Sequence, residues 1–316
     1  MRAYGPVPSR RLGQSLGINH VPPKVCTYSC VYCQLGRTDR MRCERREFYP
    51  PEEVVGDVEE QVRRAREKDE RIDYLTFVPD GEPTLDANLG REIELLEPLG
   101  IKMAVLSNAS LMWMEEVRED LLGADWVSLK VDAVTDDVWR RVDRPHGRLE
   151  IETVLEGMRE FADVFEGELA TETMLVKGLN DDGEEAARVA AFLEELDPEK
   201  AYVAIPTRPP AEAWVEPADE EAVNRAYQIF EGGLRHVEYL IGYEGDTFAY
   251  TGDVREDLLS ITSVHPMREE AVRKLLSRAG SSWSTVERLI EEEKLIELLY
   301  GGKRFYMRKL PGRVNK

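Results

Sequence analysis

Cys26-Thr27-Tyr28-Ser29-Cys30-Val31-Tyr32-Cys33 is the stretch on which the reading of this chain turns. Its cysteines follow the spacing CxxxCxxC and supply three thiolates, one fewer than a closed four-iron cluster needs. The iron left without a protein ligand is an open coordination position, where a small molecule can bind and react. The pattern therefore points to an enzyme rather than an electron carrier. The alternatives are a zinc knuckle or a reduced group of thiols, and three bunched cysteines suit a closed zinc site poorly.

Around this stretch the composition is that of a cored globular protein. The 316 residues allow one large α/β domain and a small appendage, and 42% hydrophobic content argues against disorder. No run approaches the roughly 20 apolar residues of a membrane span, and the N-terminus lacks a signal-peptide core. Four cysteines, three of them bunched, do not make a disulfide framework, so a reducing cytoplasm is the expected compartment. The net charge of −20 is unevenly spread. Residues 1–48 hold nine Lys/Arg against three Asp/Glu, and residues 294–316 hold seven against one. The segment between them holds 26 basic against 58 acidic residues, which argues against wrapping nucleic acid over the whole surface. The two basic ends are candidate anion-facing patches.

Short apolar runs at 15–19, 74–78, 102–106, 126–131, 169–176 and 201–205 read as strands. Amphipathic stretches at 51–68, 89–99, 111–122, 151–165 and 183–196 read as helices, with Val54, Val58 and Val62 at helical spacing in the first. About six βα units are too few for a closed eight-fold barrel, so an open or partial α/β barrel is expected. The chemistry-bearing residues fall just beyond strand ends. The cysteines follow the first strand, Asp80-Gly81-Glu82-Pro83 the second, and Ser107-Asn108 the third. Lys130 and Asp132 close the fourth, and Thr207 and Arg208 follow the sixth. That register is what an active site at the C-terminal edge of a barrel demands.

Gly81-Glu82-Pro83 combines a residue that permits close backbone approach with one that fixes φ, so its carbonyls are placed to accept from an ammonium group. An ordinary turn is the alternative. Ser107 and Asn108 suit ribose hydroxyls or a carboxylate, or else a turn or helix cap. Lys130 and Asp132 share one strand face, where they bind a charged ligand or pair with each other. Cys43 is a redox partner or a small apolar filler. Arg37, Arg40, Arg42, Arg45 and Arg46 surround it, and like Arg10 and Arg11 they recruit an anion or pair with the acidic middle of the chain. The four histidines show no metal spacing and are assigned no chemistry.

Beyond Asp253 the pattern changes to helices at 257–262, 268–279 and 284–299, with Ser284 as the cap of the last and Glu287 as its capping-box partner. Gly301-Gly302 separates strands at 295–300 and 304–308. Three helices and a hairpin suggest a winged-helix-like module at 254–316, set against a first domain at 1–253. Glu287, Glu291, Glu292 and Glu293 on its third helix oppose phosphate, whereas Lys303, Arg304, Arg308 and Lys309 on the wing favour it.

The cysteine spacing, with an aromatic just before the third cysteine, resembles the radical S-adenosylmethionine (SAM) superfamily. The resemblance implies a partial (βα)6 barrel and a [4Fe-4S] cluster on Cys26, Cys30 and Cys33, whose open iron chelates the amino and carboxylate groups of SAM. It implies a reducing electron donor, and cleavage of the sulfonium to methionine and a 5′-deoxyadenosyl radical. Gly81, Glu82 and Pro83 resemble the family's GGEP motif, which holds the methionine amino group, although Asp80 stands where the first glycine is usual. With it go cofactor-binding roles for Tyr32 against the adenine, for Ser107 and Asn108, for Lys130 on the SAM carboxylate and for Asp132 on a ribose hydroxyl.

Gly5-Pro6-Val7-Pro8-Ser9-Arg10-Arg11-Leu12-Gly13, the run ending Cys33-Gln34-Leu35-Gly36, Gly81-Glu82-Pro83-Thr84-Leu85 and Val176-Lys177-Gly178-Leu179-Asn180 are similar to the group related to the tRNA wyosine-base synthase, over roughly residues 1–250. No cysteine precedes Cys26, so a single-cluster member is expected. Three functions follow: a radical SAM enzyme of unknown substrate, with an anion as one candidate, a wyosine-type enzyme acting on tRNA, or a metal-bound winged-helix regulator on DNA.

Overall fold

The structure, a computed structural model, describes residues 2–242 and 245–309. Arg313 and Lys316, two cations of the basic C-terminal end, lie outside the described residues.

The chain opens with a hairpin, β1 (Ala3–Ser9) and β2 (Gly13–Ile18), then runs through two short strands, β3 (Val25–Cys26) and β4 (Arg40–Met41). Alternating units follow: α1 (Pro51–Glu67), β5 (Tyr74–Phe77), α2 (Leu89–Leu96), β6 (Lys102–Ser107), α3 (Glu115–Leu121) and β7 (Trp126–Lys130). Next come α4 (Asp136–Val142), α5 (Ile151–Ala162), β8 (Glu168–Met174), α6 (Gly183–Leu196), β9 (Lys200–Ala204), α7 (Glu220–Glu231) and β10 (Val237–Leu240). The main sheet has the order β1-β2-β5-β6-β7-β8-β9-β10, antiparallel only between β1 and β2. Its ends, β1 and β10, do not pair with each other, so the barrel is open.

This is the expected α/β partial barrel with two strands more than the apolar runs indicated. β1 carries Pro6 and Pro8, which weigh against a strand unless it lies at an edge, and β1 lies at an edge. β10 has only one buried residue in four, so it shows no apolar run. α6 matches its expected bounds, and the other four helices are shorter than their periodic stretches. Pro98 turns the end of α2 into a single 3-10 turn at Glu97–Leu99, and the expected helix at 111–122 begins only at Glu115.

Strand burial explains the architecture: β7 is buried at four of five positions because helices cover one face and the barrel interior fills the other. α1 starts on Pro51 with Glu52 and Glu53 in its first turn and Arg64 and Arg66 in its last, which suits the helix dipole. Its Val54, Val58 and Val62 are buried against the sheet, each stabilising the fold by about 1.5–3 kcal/mol relative to exposure. Asp182 and Asp219 cap α6 and α7 by accepting from first-turn N–H groups.

The C-terminal segment contains α8 (Val254–Val264), β11 (Met267–Arg268), α9 (Glu269–Arg278), α10 (Ser284–Glu291), β12 (Leu295–Tyr300) and β13 (Lys303–Arg308), with β11-β13-β12 forming a separate antiparallel sheet. Gly301 and Gly302 both take positive φ between β12 and β13, as a tight hairpin requires. The third helix is shorter than expected. It stops at Glu291 because 295–300 is committed to pairing with β13. Ser284 is its first helical residue rather than its cap, and its hydroxyl meets Ser282 Oγ at 2.6 Å. The segment's apolar cluster, including Leu258, Ile261, Leu275 and Tyr306, also takes in Tyr4 and Val7 of β1.

Candidate active site

The cysteine loop rests directly on the turn after β5. Val25 and Gly81 form an isolated parallel bridge, Glu82 N–H donates to the Val25 carbonyl (3.1 Å) and Lys24 N–H to the Asp80 carbonyl (2.7 Å). A Cβ on Gly81 would overlap the Val25 carbonyl oxygen. Gly81 thus admits the backbone of the cysteine loop itself.

Glu82 is fully buried and accepts four hydrogen bonds. Thr84 N–H (3.1 Å), Thr84 Oγ1 (2.7 Å) and Ser107 Oγ (2.7 Å) donate to Oε1, and Asn108 N–H (2.8 Å) donates to Oε2. Burial raises its pKa while these donors pull it down. Ser107 also accepts from Ala109 N–H (3.0 Å), and Asn108 Oδ1 from Ser110 N–H (3.0 Å), so both build the turn after β6. Asn108 Nδ2 donates to Thr27 Oγ1 (2.7 Å) and reaches Cys26 Sγ at 3.5 Å. Pro83 presents its carbonyl to His20 Nε2 at 3.1 Å. One carboxylate therefore fastens the ends of two consecutive strands, β5 and β6, beneath the cysteine loop.

On the other side, Lys130 meets Asp132 Oδ1 (3.3 Å) and Glu172 Oε1 (3.2 Å), and its ammonium lies 4.8 Å from the Tyr32 ring centroid. Tyr32 Oη donates to Asp132 Oδ2 and lies 3.3 Å from Asp143 Oδ1. Asp132 Oδ1 also accepts from Met174 N–H (2.7 Å). The pairing of Lys130 with Asp132 is thus present. Burial first, and then the charge of Asp132, hold Asp143 well above the usual carboxylate range. Asn180 fixes the end of β8, donating to the carbonyls of Asp132 (2.8 Å) and Met174 (2.9 Å).

Cys26, Cys30 and Cys33 are free and half-buried. Among the described residues no three His, Cys, Asp or Glu side chains are gathered tightly enough to hold an ion as they stand. Their chemistry nevertheless fits an iron–sulfur cluster. Burial raises the Cys26 thiol to about 12, with Glu82 and Cys33 adding to it, and raises Cys30 well above the usual thiol range. Thiolates here need the charge of a bound metal to be favourable.

Cys33 and Lys130 line one cavity of about 320 Å³ inside the barrel. Arg10 and Arg11 after β1, Glu172 on β8, Arg208 after β9 and His265 after α8 share it. Arg11 pairs with Glu172. The strand-end pattern pointed to Lys130 and Arg208. Glu172, Asp143 and His265 had no signal, since each comes near the site only through the sheet register or the C-terminal segment. Of the basic loop, Arg37 makes a bidentate pair with Glu212 (2.9 and 2.8 Å), and Arg45 pairs with Asp120. Cys43 is buried with its sulfur 3.5 Å from His146 Nδ1.

The model of the radical SAM superfamily matches residues 21–190, and the chain belongs to that superfamily. It is therefore an enzyme of a family that uses a [4Fe-4S] cluster and SAM. A UPF0026 protein of Methanocaldococcus jannaschii is 47% identical over 313 residues, spanning 98% of this chain and 97% of that one. Among solved structures, a radical SAM methyltransferase from Sphaerobacter thermophilus superposes with a TM-score of 0.55 at 20% identity, over 71% of this chain and 66% of that one. TYW1 with a lysine–pyruvate adduct bound gives 0.52 at 15% identity, over 71% and 76%. These two likenesses concern the fold. No helix among the described residues is long and apolar enough to cross a membrane.

Proposed function

We propose that this chain holds one [4Fe-4S] cluster on Cys26, Cys30 and Cys33 and acts on a substrate seated in the cavity that Cys33 lines. Bound there and reduced by one electron, the cluster with SAM would supply a 5′-deoxyadenosyl radical. The observation that carries the reading is the shared wall: Cys33 and Lys130 face one cavity, and Gly81 and Glu82 hold the cysteine loop at its edge. Gly81 leaves a carbonyl at the strand end for the SAM amino group, whereas the Pro83 carbonyl already accepts from Asp86 N–H (3.1 Å) and meets His20 Nε2, and Lys130 offers an ammonium for the SAM carboxylate. Tyr32 and Asp132 flank the place for adenine and ribose. Ser107 acts through Glu82, as a positioning residue, and Asn108 ties the β6 turn to Cys26.

The division at 253/254 is part of the proposal, supported by the separate three-stranded sheet and by its order helix, strand, helix, helix, strand, strand. A winged-helix-like module agrees with that order. Its wing cations are partly engaged, Arg304 with Glu269 and Glu297 and Lys309 with Glu293, which does not favour a nucleic-acid role. Anaerobic reconstitution followed by iron analysis tests the cluster. About four irons per chain are expected for a single cluster, and loss of iron binding in Cys26→Ala would confirm the ligand set. Zinc at one per chain with no iron uptake would overturn the proposal.

A further inference from the structure

A radical SAM enzyme draws its electron from outside the chain, and the cysteine loop has an inner and an outer side by which to receive it. The inner side is the cavity that Cys33 lines, and among the described residues none from 37 to 48 reaches it. The outer side is β4. This short strand pairs in parallel with β3, Val25 against Arg40 and Cys26 against Met41, and its other edge pairs with no strand among the described residues. Arg42 N–H donates to the Cys26 carbonyl (3.0 Å), and Asp39 and Arg40 N–H donate to the Lys24 carbonyl (3.2 and 3.1 Å). Thr38 Oγ1 donates to the Tyr28 carbonyl (2.5 Å). Segment 38–42 is thus laced along the back of the cysteine loop, and both residues of β4 are exposed. One backbone hydrogen bond joins this exposed segment to Cys26. Electron transfer weakens steeply with distance, so the outer side is a short way in.

The chemistry of the surface suits an acidic partner. Residues 37–46 hold five arginines against Asp39 and Glu44. Glu212 serves both Arg37 and Arg144, Glu44 serves Arg148, and Asp120 serves Arg45. Arg40 and Arg42 pair with no carboxylate among the described residues. Between them stands exposed Met41, a soft apolar side chain that adapts to a facing surface. Residues 49–293 hold 26 basic against 58 acidic side chains, so an acidic protein is repelled by most of the molecule and steered to this side. A strand of two residues offers a small contact, which fits the brief encounters of electron carriers, below roughly 1,200 Å². It is too small a footing for a polynucleotide, whose affinity grows with the number of phosphates met.

Building on the radical SAM reading, we propose that β4 and its flanking arginines are the docking surface for a small acidic ferredoxin, which passes one electron to the cluster held by Cys26, Cys30 and Cys33. An iron–sulfur carrier suits the task because it exchanges single electrons at low potential. Its centre is oxidised by one electron and the chain's cluster is reduced by one, with no bond made or broken. The substrate keeps the inner side, so donor and substrate occupy opposite faces of one loop.

The test titrates the reconstituted holoenzyme with an acidic [2Fe-2S] ferredoxin. Calorimetry reads binding, and electron paramagnetic resonance reads reduction of the chain's four-iron cluster. Binding should weaken at least about tenfold between about 50 and 300 mM salt. Arg40→Glu should weaken it about tenfold or more and Arg42→Gln several-fold, while Arg40→Lys should bind nearly as the parent does. Arg63→Gln, on the exposed face of α1, should change nothing, and an unaltered thermal midpoint certifies the fold of each variant. Dithionite needs no docking and should reduce the cluster of Arg40→Glu as it does that of the parent. Ferredoxin that fails to bind, or that binds Arg40→Glu as well as the parent, overturns the docking surface. Dithionite-driven SAM cleavage is scored separately, and its absence counts against the radical SAM reading rather than the surface. If ferredoxin fails to bind, while Arg40→Glu abolishes tRNA binding or self-association of the chain, the surface belongs to a nucleic acid or a second copy and the proposal falls.

Discussion

Gly81 lies against the Val25 carbonyl so closely that no side chain fits between the cysteine loop and the turn after β5. The glycine is therefore a seat for the loop that carries Cys26, Cys30 and Cys33. Gly81→Ala should push Val25 away and destabilise the fold by about 1–3 kcal/mol, as overpacking does. Iron content after reconstitution should fall together with the thermal midpoint. An unchanged iron content would show that the seat is dispensable.

Glu82 separates a positioning role from direct contact with a ligand. All four of its hydrogen bonds come from the chain, and Asn108 N–H points at Oε2. In Glu82→Gln an amide NH2 must face one of these donors, leaving a buried donor unsatisfied at a cost of about 1–3 kcal/mol. Denaturant unfolding should register that loss. A variant as stable as the parent would contradict the clamp.

The pattern of alternating apolar runs was legible because the central strands are buried on both faces, and the cysteine spacing was legible because ligation demands it. The turn motifs read equally as ligand contacts or as turns, and the structure shows their turn-building part. Gly81 faces the Val25 backbone, and Ser107 faces Glu82. Such pairings bring together residues 56 and 25 positions apart, a distance no local pattern encodes. Glu172 was hidden for the same reason. It meets Lys130 across the β7–β8 register and Arg11 across the open mouth of the sheet.

Glu92 on α2 makes a prediction about pH. It is fully buried, and neither carboxylate oxygen has a hydrogen-bond partner in the chain. Burial, followed by the charge of Asp86, raises its pKa from 4.5 to about 9. The folded chain then keeps a proton that the unfolded chain releases. The stability this contributes is fully present below pH 4.5 and is lost as the pH rises toward 9, by up to about 1.4 kcal/mol per unit. Glu92→Gln should remove that slope, so the variant gains on the parent between pH 6 and pH 8 in urea unfolding. An equal difference at both pH values would refute the assignment.

Lys130 balances two carboxylates, Asp132 and Glu172. Lys130→Met leaves the buried Asp132 without its cation and Glu172 with only Arg11, and stability should drop by about 2–5 kcal/mol. SAM affinity, measured by equilibrium dialysis, should weaken at least about tenfold. Lost stability with unchanged affinity would confine Lys130 to a structural part.

The central claim is that the three clustered cysteines, and not the fourth, make the chain a radical SAM enzyme. Anaerobically reconstituted protein should be given dithionite and SAM, and 5′-deoxyadenosine should be measured for the parent, Cys30→Ala and Cys43→Ala. The account predicts product from the parent and from Cys43→Ala, and none from Cys30→Ala. Product from Cys30→Ala, or its absence from the fully iron-loaded parent, would contradict the account.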